Sequence, residues 1–353
     1  MRVDAGRIVV RVAPSRFFLE PSCRSSDSTV MSVELANKRI CVTGGAGFLG
    51  RVLCEKLLAR GVREIFVPRS RDYDLTDARA VARMYEDARP DVVIHLAAQV
   101  GGIGANQRHP GRFFYANMAM GLHLIEEGRR RGVEKFVQVG TVCAYPKFCP
   151  VPFREDDLWN GFPEETNAPY GIAKRTLAVM LDAYRREYGF NGVFVIPVNL
   201  YGPGDSFDPE TSHVIPALVR QFCSAVVEER DEVTCWGTGE VSREFLYVED
   251  AADGILAGTM LLETSTPVNL GTGEEIRIAE LARMIATHCG FTGRIAWDHS
   301  RPDGQPRRQL DTLQAKKLLA WSAGVGLETG LVRTIEWWKS HSFTTAKPQG
   351  ANI

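Results

Sequence analysis

From Lys38 onward the sequence alternates short β-branched runs with longer stretches whose apolar residues return at helical spacing. The runs are residues 38–43, 64–67, 91–97, 135–139 and 193–198, and the helical stretches between them are 48–60, 76–89, 111–132 and 170–188. A strand followed by a helix and another strand predicts a parallel sheet, because a right-handed crossover must carry the chain back over one face. Helices on both faces leave no solvated side, so Val92, Val93, Ile94 and Leu96 form an apolar run instead of alternating with charges. After Tyr201 the texture changes: Gly, Pro and Asp gather over 202–209, and the strand candidates near 233–236 and 268–270 stand apart. The expected class is α/β, a doubly wound parallel sheet over 38–200. A smaller C-terminal substrate domain over 201–340 sends segments back to that sheet. Residues 1–37 read as a disordered extension, with Met31 as the natural start, and 341–353 as a tail.

Composition narrows the functions open to such a fold. Lys and Arg number 42 against 43 Asp and Glu, a formal net charge of -1, so bulk charge predicts neither a nucleic-acid nor a membrane-surface partner. No apolar run nears the roughly 20 residues that span a bilayer. The first thirty residues carry arginines among acids and lack a signal-peptide centre; an organellar targeting segment is the lesser alternative. Cys23, Cys41, Cys54, Cys143, Cys149, Cys223, Cys235 and Cys289 are scattered without CxxC or Cys/His spacing. That pattern predicts no disulfide framework, no metal site and a reducing, cytoplasmic setting.

Chemistry enters at the first strand-to-helix turn. Gly44, Gly45, Ala46, Gly47, Phe48, Leu49 and Gly50 satisfy both GxxGxxG and GxGxxG between a strand and the helix it feeds. Glycines there permit a tight turn and a close backbone approach to a diphosphate, whose charge meets free amides at a helix N-terminus. This is the signature of a Rossmann-type dinucleotide site. After the second strand come Arg69, Ser70 and Arg71, two guanidiniums around a hydroxyl, which suit a 2'-phosphate and favour NADP(H); Asp72 and Asp74 keep NAD open.

Tyr170 and Lys174 lie four apart, on one helix face. A phenol works near neutral pH when a cation favours its phenolate, so Lys174 together with a nicotinamide ring is expected to lower the pKa of Tyr170. Thr141 closes the fourth strand, where ligands of an open parallel sheet bind. Without the glycine loop, Tyr170 would read as a core or surface tyrosine.

The glycine loop, Thr141 and the Tyr170/Lys174 pair resemble the extended short-chain dehydrogenase/reductase superfamily. Longer segments are similar, within it, to the GDP-4-keto-6-deoxy-D-mannose 3,5-epimerase-4-reductases. They are Val100-Gly-Gly-Ile-Gly-Ala-Asn106, Cys143-Ala-Tyr-Pro-Lys147, Thr166-Asn-Ala-Pro-Tyr170, Asn199-Leu-Tyr-Gly-Pro203, Ser212-His-Val-Ile-Pro-Ala-Leu218, Arg243-Glu-Phe-Leu246 and Arg301-Pro-Asp-Gly304. The resemblance implies NADPH-dependent conversion of a GDP-sugar, GDP-4-keto-6-deoxy-D-mannose, to GDP-L-fucose. It implies catalytic roles for Tyr170, Lys174 and Thr141, an epimerisation pair in Cys143 and His213, and a homodimer formed by the helices after Gly111 and Tyr170. It places Val139, Lys174, Pro197, Asn199, Leu200 and His213 against the cofactor, and Arg220, Gln221, Trp236, Arg243, Arg301 and Asp303 against the substrate. Thr141 departs from the family's serine by a methyl group. Ala46 stands where the family often has arginine, which leaves a 2'-phosphate to Arg69 and Arg71.

Taken without the resemblance, Cys143 is an inert small residue, His213 a helix-capping contact, and Trp236 a core side chain as readily as a stacking platform. Two other functions share most of these residues: a nucleotide-sugar epimerase or dehydratase that holds NAD(P) and returns its hydride, and a non-catalytic NADP-binding protein.

Overall fold

In the computed structural model, which describes residues 3–4, 7–9, 34–209 and 211–342, the apolar runs become a parallel sheet. Its spatial order is Glu64–Phe66, Arg39–Thr43, Val92–His95, Lys135–Val139, Gly192–Pro197, Val268–Leu270. Strand order reverses between Arg39–Thr43 and Val92–His95, which opens a crevice beyond their carboxyl ends. The strand Val268–Leu270, which looks isolated in sequence, is one of the segments that return to the sheet: it pairs in parallel with Gly192–Pro197, with Val268 opposite Val195. Three residues are too short a run to announce their partner, yet all three are buried there.

The other sheet edge brings a correction. Within the segment expected to be disordered, Val3–Asp4 and Arg7–Val9 pair with each other, and Arg7–Val9 runs antiparallel to Glu64–Phe66 with Ile8 opposite Ile65. An outer strand offers a row of unpaired amides and carbonyls, and a short extended segment satisfies them. Leu35 is also buried in the main core. Residues 10–33, with Met31 and Cys23, lie outside the described residues, as do 343–353; His341 and Ser342 close the last helix rather than starting a tail.

Helices Phe48–Ala59, Ala78–Ala88, Pro110–Arg130, Ala168–Tyr188 and Val248–Leu261 cover the sheet. The second begins two residues later than its periodicity suggests, because Asp77 accepts the N–H of Arg79 and caps it. A second core forms where Val214–Val227, Ile278–Cys289 and Leu327–Ser342 enclose Phe222, Leu281 and Ile285. In it the Cys223 and Cys289 sulfurs sit 3.2 Å apart as free thiols. The strand Ser242–Tyr247 joins the two cores through Glu244, whose buried carboxylate accepts the N–H groups of Thr272, Gly273 and Leu310 at 2.5, 2.9 and 2.6 Å. Among the described residues no helix is long and apolar enough to cross a membrane.

Candidate active site

The glycine loop forms a cradle that side chains would fill. Gly44 has φ 71°, and a Cβ on Gly50 would lie 2.1 Å from the Gly44 carbonyl oxygen, so only glycine lets the helix start against the turn. The Phe48–Ala59 helix has neither a side-chain cap nor an acid in its first turn, and its first amides are left to an anion. Gly44, Ala46, Gly47, Phe48, Leu49 and Gly50 line a cavity of about 1290 Å³. Gly45 instead packs under Val67 and does not line it.

Arg69 and Ser70 line the same cavity, and the Arg69 guanidinium has no hydrogen bond or ion pair among the described residues. Arg71 is turned away: its side chain is 83% exposed and its Nε pairs with Asp72 at 3.4 Å. Asp74 spends its carboxylate on Thr76, at 2.9 Å to the amide and 2.7 Å to the hydroxyl, and those bonds hold it below the usual carboxylate range. The residues present therefore fit a dinucleotide phosphate cradle, with one free guanidinium rather than two beside the second strand.

Beyond the sheet, Thr141 caps the short helix Val142–Ala144 by accepting the N–H of Cys143 at 3.2 Å. The Ala168–Tyr188 helix lands on this turn. A Cβ on Gly171 would lie 2.3 Å from the Cys143 carbonyl oxygen, so glycine permits the approach that brings Tyr170 beside Thr141 and Cys143. Glu164 orders the segment before that helix, accepting from the Thr166 hydroxyl and the Asn167 side-chain Nδ2, each at 2.6 Å. Tyr170, Thr141, Cys143, Lys174 and His213 all line the cavity, as do Val139, Pro197, Asn199 and Leu200.

Without the nicotinamide, burial dominates the electrostatics of the pair. Burial pushes the Tyr170 phenol above its usual range, the neighbouring Cys143 adds to this, and the Thr141 hydrogen bond opposes it. Lys174, one turn on, is itself pushed down to about 8 by burial, and its ammonium donates to the Val139 carbonyl at 3.2 Å. Desolvation of both groups outweighs the attraction expected between them. The His213 imidazole is held below its usual pKa first by desolvation and then by the charge of Arg308. It stands at the N-cap position of Val214–Val227 without a side-chain capping bond, so its ring is free to face the cavity.

The substrate candidates also meet there. Arg220 Nε and Gln221 Oε1 are buried polar atoms with no partner among the described residues. Arg301 lies over the Trp236 ring at 4.8 Å, and both side chains are exposed at the cavity wall. Arg243 is buried and drawn down to about 9, chiefly by desolvation and then by Arg308, while donating to the Ser242 and Asp303 carbonyls. Asp303 accepts from the Thr238 amide at 2.8 Å and hydroxyl at 2.9 Å, which fixes the turn after Trp236. Asn199 is likewise engaged, donating to Glu244 O at 2.8 Å and accepting from Arg308 at 3.2 Å.

Sequence reading missed Arg308 and Gln305. Both are buried and line the cavity; Gln305 donates to Pro146 O at 2.9 Å and so ties this loop to the segment after Cys143. Their one signal was position, just past Arg301-Pro-Asp-Gly304 in an arginine-rich loop.

A glycine cradle at a sheet's switch point, facing a phenol and a buried lysine on one helix, defines a dinucleotide-dependent oxidoreductase of the extended short-chain type. The chain belongs to the NAD dependent epimerase/dehydratase family, whose sequence profile matches residues 40–271. It is 37% identical over 311 residues to GDP-L-fucose synthase 1 of Arabidopsis thaliana, covering 88% of this chain and 96% of that one. It is 39% identical over 312 residues to GDP-L-fucose synthase of Escherichia coli (strain K12), covering 86% and 97%. Among solved structures, a GDP-L-fucose synthetase from Naegleria fowleri bound to NADP matches with a TM-score of 0.80 at 28% identity, covering 90% of this chain and 99% of that one.

Proposed function

We propose that this protein converts GDP-4-keto-6-deoxy-D-mannose to GDP-L-fucose with NADPH, by 3,5-epimerisation and 4-keto reduction in one cavity. The observation that carries this reading is the thiol of Cys143 beside the reductive phenol Tyr170, with His213 in the same cavity. A simple reductase has no use for a second acid-base pair at that place. The relatives named GDP-L-fucose synthase supply the substrate. The cavity, about 1290 Å³, exceeds the roughly 300–1,000 Å³ of a single-ligand pocket and suits a dinucleotide together with a nucleotide sugar.

The 4-ketone makes the protons on C3 and C5 acidic, because the carbanion spreads onto the ketone oxygen. Thr141 and Tyr170 hold that oxygen where the charge develops. Cys143 removes the proton at each carbon, and His213 delivers one to the opposite face of each; an imidazolium whose pKa is depressed by desolvation and Arg308 is the stronger acid. NADPH, when bound, supplies the hydride that reaches C4. Tyr170 then gives its proton to the C4 oxygen, and its raised pKa keeps that proton in place until the alkoxide forms. Arg220, Arg243 and Arg308 receive the diphosphate, and Arg69 receives the cofactor's 2'-phosphate.

We place the enzyme in the cytoplasm as a homodimer. All seven described cysteines are free, which suits a reducing compartment. The two long helices Pro110–Arg130 and Ala168–Tyr188 expose Tyr115, Leu122 and Val179, an apolar face that suits a second copy.

The test is incubation with GDP-4-keto-6-deoxymannose and NADPH in deuterated buffer, followed by NMR of the sugar. Wild type should yield GDP-L-fucose with deuterium at C3 and C5. Cys143→Ser should yield reduced, unepimerised 6-deoxyhexose without that label, since a serine lacks an activated alkoxide. Normal exchange in this variant would leave Cys143 a packing residue.

A further inference from the structure

Three polar side chains cross the central sheet side by side beneath the catalytic helix. Thr43 lies opposite His95, and His95 opposite Gln138, on three neighbouring parallel strands, so all three project from one face. Each is fully buried. Gln138 is followed across the sheet by Phe194, where the polar row ends. On a face whose nearest strand neighbours are Cys41, Val93, Phe136 and Phe194, three adjacent buried polar groups are costly unless they satisfy one another or something above them.

Their bonding is incomplete in one place. Thr43 Oγ1 accepts the Ala97 N–H at 3.3 Å and lies 2.7 Å from His95 Nδ1. We assign the ring proton to that contact, so Nδ1–H donates to the Thr43 hydroxyl oxygen and Nε2 presents a bare lone pair. His95 Nε2 and Gln138 Oε1 are then two acceptors at adjacent register positions, and neither has a partner among the described residues. Gln138 Nε2 donates to the Val139 carbonyl at 2.9 Å. The same carbonyl accepts Lys174 Nζ at 3.2 Å, the one hydrogen bond among the described residues of an ammonium that is 1% exposed. The charge of Lys174 reaches His95 in turn, adding to the burial that keeps that imidazole neutral.

The other groups near this helix are accounted for. Tyr170 is on the helix itself, and Thr141 and Cys143 are on the turn it packs against. From Pro110–Arg130, Asn117 is committed to Gln99 and the Phe113 carbonyl, while Glu126 meets Tyr184, ten residues past Lys174 and so about 15 Å along the helix. Gly192–Pro197 brings only apolar side chains. Among the described residues no carboxylate pairs with Lys174, so fixed dipoles are what its charge has.

We propose that the Thr43–His95–Gln138 row is a neutral polar floor that positions Lys174 and sets the pH at which its ammonium gives up a proton. His95 and Gln138 are thereby positioning residues for the catalytic lysine. The proposal rests on reading Lys174 as catalytic. Dipoles that favour the ammonium offset part of its burial; stripping them lowers its titration further, and a carboxylate in their place raises it.

The experiment titrates the whole protein, free of cofactor and substrate, by NMR with 13C at the lysine ε-carbon, and Lys174→Arg identifies the resonance. Gln138→Leu and His95→Phe should move the Lys174 midpoint down by about one pH unit, and the nearly isosteric Gln138→Glu should move it up by about as much. His95→Asn, which restores a neutral polar group, should stay near wild type. A merely structural role would lower melting temperatures without these opposed shifts. One midpoint shared by all the folded variants, or a shift of Gln138→Leu and Gln138→Glu in the same direction, overturns the proposal. If His95→Phe does not fold, the two Gln138 variants decide. No substrate enters the titration, so a wrong sugar assignment leaves its outcome standing, and an unmoved midpoint sinks the floor even where GDP-L-fucose is made.

Discussion

Lys174 keeps its charge where burial opposes it, and the consequence for stability has a definite sign. Its folded pKa, about 8, lies below the usual lysine value of 10.5. Between those values the unfolded chain binds the extra proton, so stability from this group rises with pH across that window; below pH 8 the full desolvation cost remains. Lys174→Met should therefore abolish reduction yet raise folding stability at pH 7 by on the order of 2 kcal/mol, a gain that shrinks as pH nears 10. Urea unfolding at pH 7 and pH 9.5 checks this; a variant that is less stable at pH 7 contradicts it. Arg69 and Arg71 separate just as sharply. Arg69→Ala should raise the Michaelis constant for NADPH roughly tenfold and leave that for NADH nearly unchanged, since a lost charge-assisted bond costs about 1.4 kcal/mol or more. Arg71→Ala should change neither, because its side chain pairs with Asp72 outside the cavity. Initial rates with both cofactors measure it.

The alignment of the Ala168–Tyr188 helix on the Thr141–Cys143 turn decides where the phenol stands. Gly171 holds that contact, since any Cβ there meets the Cys143 carbonyl oxygen. Gly171→Ala should push the helix off the turn at about 1–3 kcal/mol, the usual cost of overpacking. It should cut kcat at least tenfold while leaving NADPH affinity close to wild type, because the cradle at Gly44–Gly50 is built on a different helix. Stopped-flow binding of NADPH beside steady-state kcat distinguishes the two effects. A kcat equal to wild type would show that the turn and helix do not set the reacting geometry.

Across the molecule, one cavity is walled by both cores, so each core contributes half of a site that neither forms alone. The long helices Pro110–Arg130 and Ala168–Tyr188 leave Tyr115 at 63% and Leu122 at 44% exposure, away from that cavity. If this face joins two copies, Leu122→Glu combined with Tyr115→Glu should turn a dimer into a monomer, read by light scattering after size-exclusion chromatography. An unchanged mass would move the contact elsewhere. Because the cavity is lined within one chain, the monomer should keep cofactor binding.

Features that depend on backbone neighbours a few residues apart were legible in the sequence. The glycine loop was, because a turn that must admit a phosphate constrains each position locally. So were the long helices and doubly covered strands, because their apolar periods are set by helix and pleat geometry. Tyr170 and Lys174 were, since four residues make one helical turn. Features settled by what lies across space were not. The hairpin at Val3–Asp4 and Arg7–Val9 and the strand Val268–Leu270 take their places from open sheet edges that are distant in sequence. Arg71 points away and Arg308 points in because loops set side-chain direction only once the body beneath them has packed. The direction of the Tyr170 shift belongs here too: sequence supplied a cation one turn away, whereas burial, which only the folded chain creates, outweighs that cation and holds the proton on the phenol.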